Sequence, residues 1–143
     1  MRILIAILTL IVALMLYVRL APTQVERWHT RPVATDPIDR QEEGGFLAAR
    51  RITAPPAEVL RALEQRALAT PRTRLLAGSV DEGLLTFQTR SLLWGFPDHT
   101  SVTVADDLLI IHGRLRFGRS DMGVNKARVL GWLASLGPLT EPL

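Results

Sequence analysis

Ile3 to Val18 is apolar except for Thr9 and Tyr17, with Arg2 before the run and Arg19 after it. Counted to Ala21, the run predicts a helix long enough to cross about 30 Å of hydrocarbon at about 1.5 Å per residue. Tyr17 and Arg19 fall where an interfacial aromatic and a snorkelling cation are expected. A cleaved signal peptide would have a shorter apolar core followed by small residues in an A-x-A arrangement. Only Ala21 is available here, with Arg19 two positions before it and Pro22 directly after. The expectation is an uncleaved transmembrane anchor over residues 1–21. Cationic residues flank both ends, so charge does not decide orientation. The short N-terminal tail before a soluble domain favours a signal anchor with the domain outside the cytoplasm.

From Pro22 to Gly45 no period survives, and Pro, Asp, Glu, Arg and Gly dominate. Residues 22–45 therefore read as an extended linker holding the domain off the bilayer. Trp28 is its one large apolar residue, and the pattern leaves open whether it docks on the domain or lies among lipid headgroups. A soluble domain is expected over 46–137, with 138–143 as a tail. Phe46 to Ile52 reads as a strand, and Ala57 to Leu68 as a helix started by Pro55–Pro56 and Glu58. Alternation then marks strands at Leu84–Ser91, His99–Ala105 and Leu108–Phe117, with Leu75–Ser79 as an additional one. Leu85, Phe87, Val102, Leu109 and Ile111 fall on one face, opposite Thr86, Gln88, Ser101, His112 and Arg114. A final helix runs from about Gly123 to Leu136. The fold class expected is α+β: an antiparallel sheet of about four or five strands, two helices packed on one face, and one N-terminal transmembrane helix before it.

The 143 residues leave room for one domain. There is no cysteine, which excludes thiol catalysis, iron–sulfur clusters and thiolate zinc sites. All but one of the 17 basic residues are arginine, the exception being Lys126. With the many alanines, that bias resembles the coding of a GC-rich bacterial genome. The net charge of +3 is spread along the chain without a dense basic block, so nucleic acid is not an expected partner.

Three stretches carry a family resemblance: Thr70 to Ser79, Thr89 to Asp98, and Gly113 to Asn125, the last containing Arg119-Ser-Asp-Met-Gly-Val-Asn125. Over about residues 46–136 the chain resembles the bacterial domain of unknown function (DUF) 1499 family. The resemblance implies an envelope-associated protein and implies no reaction. The strand-to-helix junction Ile52-Thr-Ala-Pro-Pro-Ala-Glu-Val59 is more loosely similar to that of helix-grip lipid-binding domains.

Three places offer chemistry. Arg90, His99, His112, Arg114 and Arg116 project from the polar face of the sheet, and arginines on neighbouring strands suit bidentate recognition of phosphate or carboxylate. The bland alternative is a solvated face with arginine stems covering the backbone. The loop around Trp94 and Phe96 reads either as a ligand lid or partner hot spot, or as a plug closing the core. Arg119, Ser120, Asp121 and Asn125 at the last helix start read either as an anion site or as an ordinary N-cap. His112 with Asp98 and Ser91, Ser101 or Ser120 would make a hydrolase set, but no G-x-S-x-G, H-E-x-x-H or Walker pattern accompanies them.

The function expected is a membrane-anchored envelope module without catalysis, binding an anionic lipid or glycan fragment or a partner protein. The alternative is a membrane-surface hydrolase with a histidine base. No cofactor and no metal site are expected. The location expected is the inner membrane of a bacterium, single-pass, with the domain in the periplasm.

Overall fold

The computed structural model describes residues 1–143. Helix α1 (Arg2–Leu20) and a single helical turn α2 (Val25–Trp28) precede strands β1 (Ile38–Glu42) and β2 (Gly45–Arg51). Helix α3 (Pro56–Leu68) leads to strands β3 (Thr73–Ser79), β4 (Leu84–Arg90), β5 (Pro97–Ala105) and β6 (Leu108–Leu115), then helix α4 (Val124–Ser135). The strands make one sheet in the order β1-β2-β6-β5-β4-β3, with every neighbouring pair antiparallel. The chain is α+β, with six strands where four or five were expected.

The additional strand is β1. Its side chains are almost all exposed and show no alternation, because it is an edge strand held to β2 by its backbone ladder, Ile38 opposite Ala49 and Glu42 opposite Gly45, and by the Arg50–Asp39 ion pair, with no apolar face to bury. Pattern reading detects burial, and β1 has little.

Helices α3 and α4 cover one face. Proline in the first turn and Glu58 near the N-terminus favour α3, and Val59, Leu60, Leu63 and Ala67 form its buried stripe. They meet Phe46, Ala48, Leu85, Phe87, Val102, Leu109 and Ile111 from the sheet and Val129, Trp132 and Leu133 from α4 in one core. Trp132 lies edge-on to Phe87 at 5.6 Å and donates its indole N–H to Thr70 Oγ1 at 2.9 Å, so the ring is buried without losing its polar partner. The segment expected as a tail is tied down: Thr140 bridges to Ile52, and the Glu141 N–H donates to Arg51 O.

The stretch expected as a free linker is different again. Beyond holding β1, residues 22–35 lie across the second face of the sheet, which makes the molecule three layers deep. Ala34 packs against Leu47, Ala49, Leu108 and Ile110 at one end of this face. Absence of periodicity here reflects a strap that uses carbonyls and single side chains, not a spacer. Helix α1 runs for 19 residues, about 28 Å, and among its residues only Val18 is buried. It is long and apolar enough to cross a membrane, with a mean hydropathy of 2.7.

Gly113, in the middle of β6, allows α4 to approach. A Cβ there would stand 2.7 Å from Asn125 Oδ1. Asn125 is fully buried and cannot swing away, because Arg128 Nη1 donates to its Oδ1 at 2.9 Å. Gly113→Ala is expected to destabilise the chain by about 1–3 kcal/mol. In an Asn125→Ala background the same change should cost much less, a coupling readable by thermal unfolding of the four-member cycle in neutral detergent.

Candidate functional site on the sheet and at its rim

Strand alternation and register bring the polar candidates together. His99 stands opposite Gln88 on β4 and Arg114 on β6, and Ser101 stands opposite Thr86 and His112. The even-numbered positions of β6 and the odd ones of β5 share the second face, so His99, His112 and Arg114 do lie side by side. The strap covers much of this face, so that His99 is buried while His112, Arg114 and Arg116 are half-buried. Trp28 stacks on His99 with ring centroids 4.2 Å apart, and its carbonyl accepts from Ser101 Oγ at 2.7 Å and Arg114 Nη2 at 2.8 Å. Arg116 donates to Pro22 O at 2.8 Å and to Thr23 Oγ1 at 3.3 Å. Arg31 donates to Glu82 O, Gly83 O and Thr103 Oγ1. Backbone carbonyls thus take the place that an external anion would occupy on Arg114 and Arg116.

The stack constrains His99. Arg74 Nε donates to Gln88 Oε1 at 3.1 Å, which turns the amide nitrogen of Gln88 toward His99 Nε2 at 3.2 Å. That ring nitrogen must accept, so the imidazole proton resides on Nδ1, where it has no partner. Burial, reinforced by Arg116, Arg114, Arg90 and Arg74, lowers the pKa of His99 to about 3. A neutral ring is what a stack under four guanidinium groups requires.

The proposed hydrolase sets do not assemble. His112 Nε2 meets Glu42 Oε2 at 2.7 Å, whereas Asp98 lies on the opposite face, against Arg128 at 3.4 Å and Asn125. Burial holds the pKa of His112 down, against the opposing pull of Glu42. Glu82, His29 and Thr86 line up as carboxylate, imidazole and hydroxyl, each contact 2.9 Å. Thr86 is fully buried in mid-strand and is also bonded to Ser101, so this line braces the strap and offers no nucleophile to a substrate.

At the start of α4, Asp121 accepts from the N–H of Gly123 at 3.0 Å and of Asn125 at 2.8 Å. Burial alone would raise its pKa, but these hydrogen bonds outweigh that and hold it below the usual carboxylate range. Ser120 Oγ accepts from the Met122 N–H at 3.3 Å. The cap reading therefore describes Ser120 and Asp121, and Asn125 serves the helix–sheet joint. Arg119 is exposed and touches only Glu43, at 3.8 Å. The aromatic loop does not plug the core. Trp94 and Phe96 stack at 6.3 Å, Phe96 meets Phe117 at 6.1 Å, and all three lie outside the core cluster while Leu92 and Leu93 point into open space.

Of the arginines foreseen on the face, Arg114 and Arg116 line clefts that the strap also lines, whereas Arg90 opens onto a cleft with three further arginines. Arg19 from the end of α1, Arg72 and Arg74 from β3 and its approach, and Arg90 from β4 line a cavity of about 400 Å³ with Gln88 and Leu92. None of the four has a carboxylate within 4.0 Å. Burial, followed by the charges of Arg74, Arg19 and Arg116, lowers the pKa of Arg90, as expected for a cation among cations. Arg72 holds a left-handed backbone, φ 57°, at the entrance to β3. Sequence reasoning missed Arg19, Arg72 and Arg74 because the first looks like an anchor flank and the others like strand polarity. The β3–β4 pairing brings Arg72 and Arg74 to Arg90, and Arg19 joins them where α1 meets the sheet, with Arg90 Nη1 donating to Val18 O at 3.4 Å.

Residues 21–136 match the sequence model of a family described as a protein of unknown function, DUF1499. The match starts ahead of the strap and includes it, extending beyond the 46–136 of the initial resemblance. Comparison with curated proteins finds no match.

Two outcomes follow from the strap. Trp28→Ala removes the stack and is expected to cost about 3–5 kcal/mol, read as a lowered unfolding temperature together with new protease cleavage between residues 22 and 35. His99 has a folded pKa below its ordinary 6.5, so the unfolded chain binds a proton that the folded chain refuses. Its contribution to stability is complete above pH 6.5 and declines as pH falls toward 3, by up to about 1.4 kcal/mol per unit. His99→Gln should flatten that decline in pH-dependent unfolding curves; an unchanged slope would assign the titration elsewhere.

Proposed function

The chain belongs to the DUF1499 family, whose description assigns no reaction, and on that premise we propose that it is a membrane-anchored, non-catalytic module that binds an anionic ligand in the arginine cleft. One observation carries the reading: Arg19, Arg72, Arg74 and Arg90 share a cleft with no carboxylate to neutralise them. Guanidinium groups so placed suit bidentate recognition of phosphate or carboxylate oxygens. Leu92 at the same rim suits a ligand with an apolar portion, such as a lipid or a substituted glycan fragment.

Anchoring through α1 is supported by its length, its apolar composition and the burial of Val18 alone among its residues. We assign the molecule to the inner membrane of a bacterium with its domain on the periplasmic side, a reading that the apolar span α1 and the arginine-rich composition support. The Arg114 and Arg116 pair supports the strap in this reading and is not the ligand contact.

The test uses the full chain in neutral detergent, titrated with inorganic pyrophosphate and with a short-chain anionic phospholipid. Arg72→Asn removes one cation while keeping a residue that tolerates the left-handed backbone. It is expected to leave the unfolding temperature nearly unchanged and, combined with Arg74→Gln, to weaken binding at least about tenfold, about 1.4 kcal/mol. Absence of saturable binding to either probe, or binding indifferent to both substitutions, overturns the assignment.

A further inference from the structure

The loop between β4 and β5 is apolar, exposed and rigid at once. Its ends are pinned, with the Ser91 N–H donating to Phe96 O at 2.9 Å and the Gly95 N–H to Ser91 O at 3.2 Å. Ser91 Oγ accepts from the Phe96 N–H at 2.9 Å. Within this frame Leu92 is 76% exposed and Leu93 68%, while Trp94, Phe96 and Phe117 form a row behind them. An ordered loop that holds two leucines outward leaves them without cover inside the molecule.

The loop is attached to the end of α1. Arg19 Nη2 donates to Leu93 O at 3.1 Å, and Arg90 Nη1 donates to Gly95 O at 2.8 Å as well as to Val18 O. A Cβ on Gly95 would stand 3.0 Å from Arg19 Cγ, so the loop backbone lies directly on that side chain. Residue 19 is about 26 Å along the helix from its start, close to the full thickness of a hydrocarbon core. The loop end of the sheet carries Arg19, Arg72, Arg74 and Arg90, and the opposite end carries the turns Asp81–Glu82 and Asp106–Asp107.

We propose that this edge of the domain docks on the bilayer surface, with Leu92 and Leu93 in the upper hydrocarbon, Trp94 and Phe96 at the headgroup level, and lipid phosphates held in the arginine cleft. The inference rests on the anchoring and anion-binding reading and narrows the ligand to the phosphate of a membrane lipid. The source is lipid and not free phosphate because the cations stand beside exposed leucines, an arrangement matching an amphiphile. Aromatic residues and arginines at the end of an apolar span are the usual interfacial set.

The chain has no cysteine, so single sites are labelled without background. Leu10→Cys, Leu92→Cys, Leu93→Cys and Asp106→Cys are made in the full chain, coupled to a nitroxide and reconstituted into phosphatidylethanolamine–phosphatidylglycerol vesicles. Relative accessibility to oxygen and to a water-soluble nickel chelate then gives depth. Labels at 92 and 93 are expected to favour oxygen, at a shallower depth than the label at 10, while the label at 106 favours nickel. Vesicles of phosphatidylcholine alone should leave them shallower. If the label at 10 is in the bilayer but those at 92 and 93 match the one at 106, the docking is overturned and the anchor stands. If the label at 10 is itself in water, the anchor fails and the docking with it. Release of the labels at 92 and 93 by excess inorganic phosphate would overturn lipid as the source.

Discussion

The stack of Trp28 on His99 is the contact on which the second layer of the molecule depends. Thr86, Gln88, His99, Ser101 and Thr103 are all buried, although only the single turn α2 and extended chain lie over their side of the sheet. Burial of so many polar groups is tolerable only where each finds a partner. The strap supplies most of those partners, His99 Nδ1 being the exception, and the indole on the imidazole fixes where it lies. Around that point the carbonyl of Trp28 meets Ser101 and Arg114, and His29 reaches Thr86. A neutral imidazole is part of the arrangement, since a proton added there would face several guanidinium groups without a carboxylate beside it.

The arginines divide by what stands in front of them. Arg31, Arg114 and Arg116 point into backbone oxygen atoms of neighbouring segments and act as structural donors. Arg50, Arg51 and Arg128 pair with aspartates. Arg19, Arg72, Arg74 and Arg90 converge on one cleft without a carboxylate; three of them also donate to backbone oxygens and Arg74 to the Gln88 amide, so the same residues are at once brace and candidate receptor. Composition alone gives all of these the same weight.

Much of the fold was legible in the sequence. The alternation in β4, β5 and β6 separates the residues of the helix-covered core from the polar ones, and the capping and proline signals locate α3 and α4 to within a residue or two. What escaped was everything that depends on unpatterned chain. Strand β1 pairs through its backbone, and the strap binds through carbonyls and isolated side chains, neither of which leaves a period. The second face looked solvated because polar side chains alternate there whether water or chain covers them. The candidate site was therefore half readable: Arg90 lay on the expected face, Arg72 and Arg74 became its neighbours through the register of β3 on β4, and Arg19 only through the meeting of α1 with the sheet.

That meeting has a mechanical consequence. Between Val18, buried against the domain, and Thr23, bonded to Arg116 and Gln88, there is no slack length of chain. Helix and sheet are joined as a bracket, and the strand β5 of nine residues extends about 30 Å from the joint. A change of about 10° in the tilt of the helix, of the size that bilayer thickness imposes, would move the acidic turns at the far end by about 5 Å. In an anchored molecule the domain would then act as a pointer, converting the state of the lipid around α1 into the position of Asp106 and Asp107.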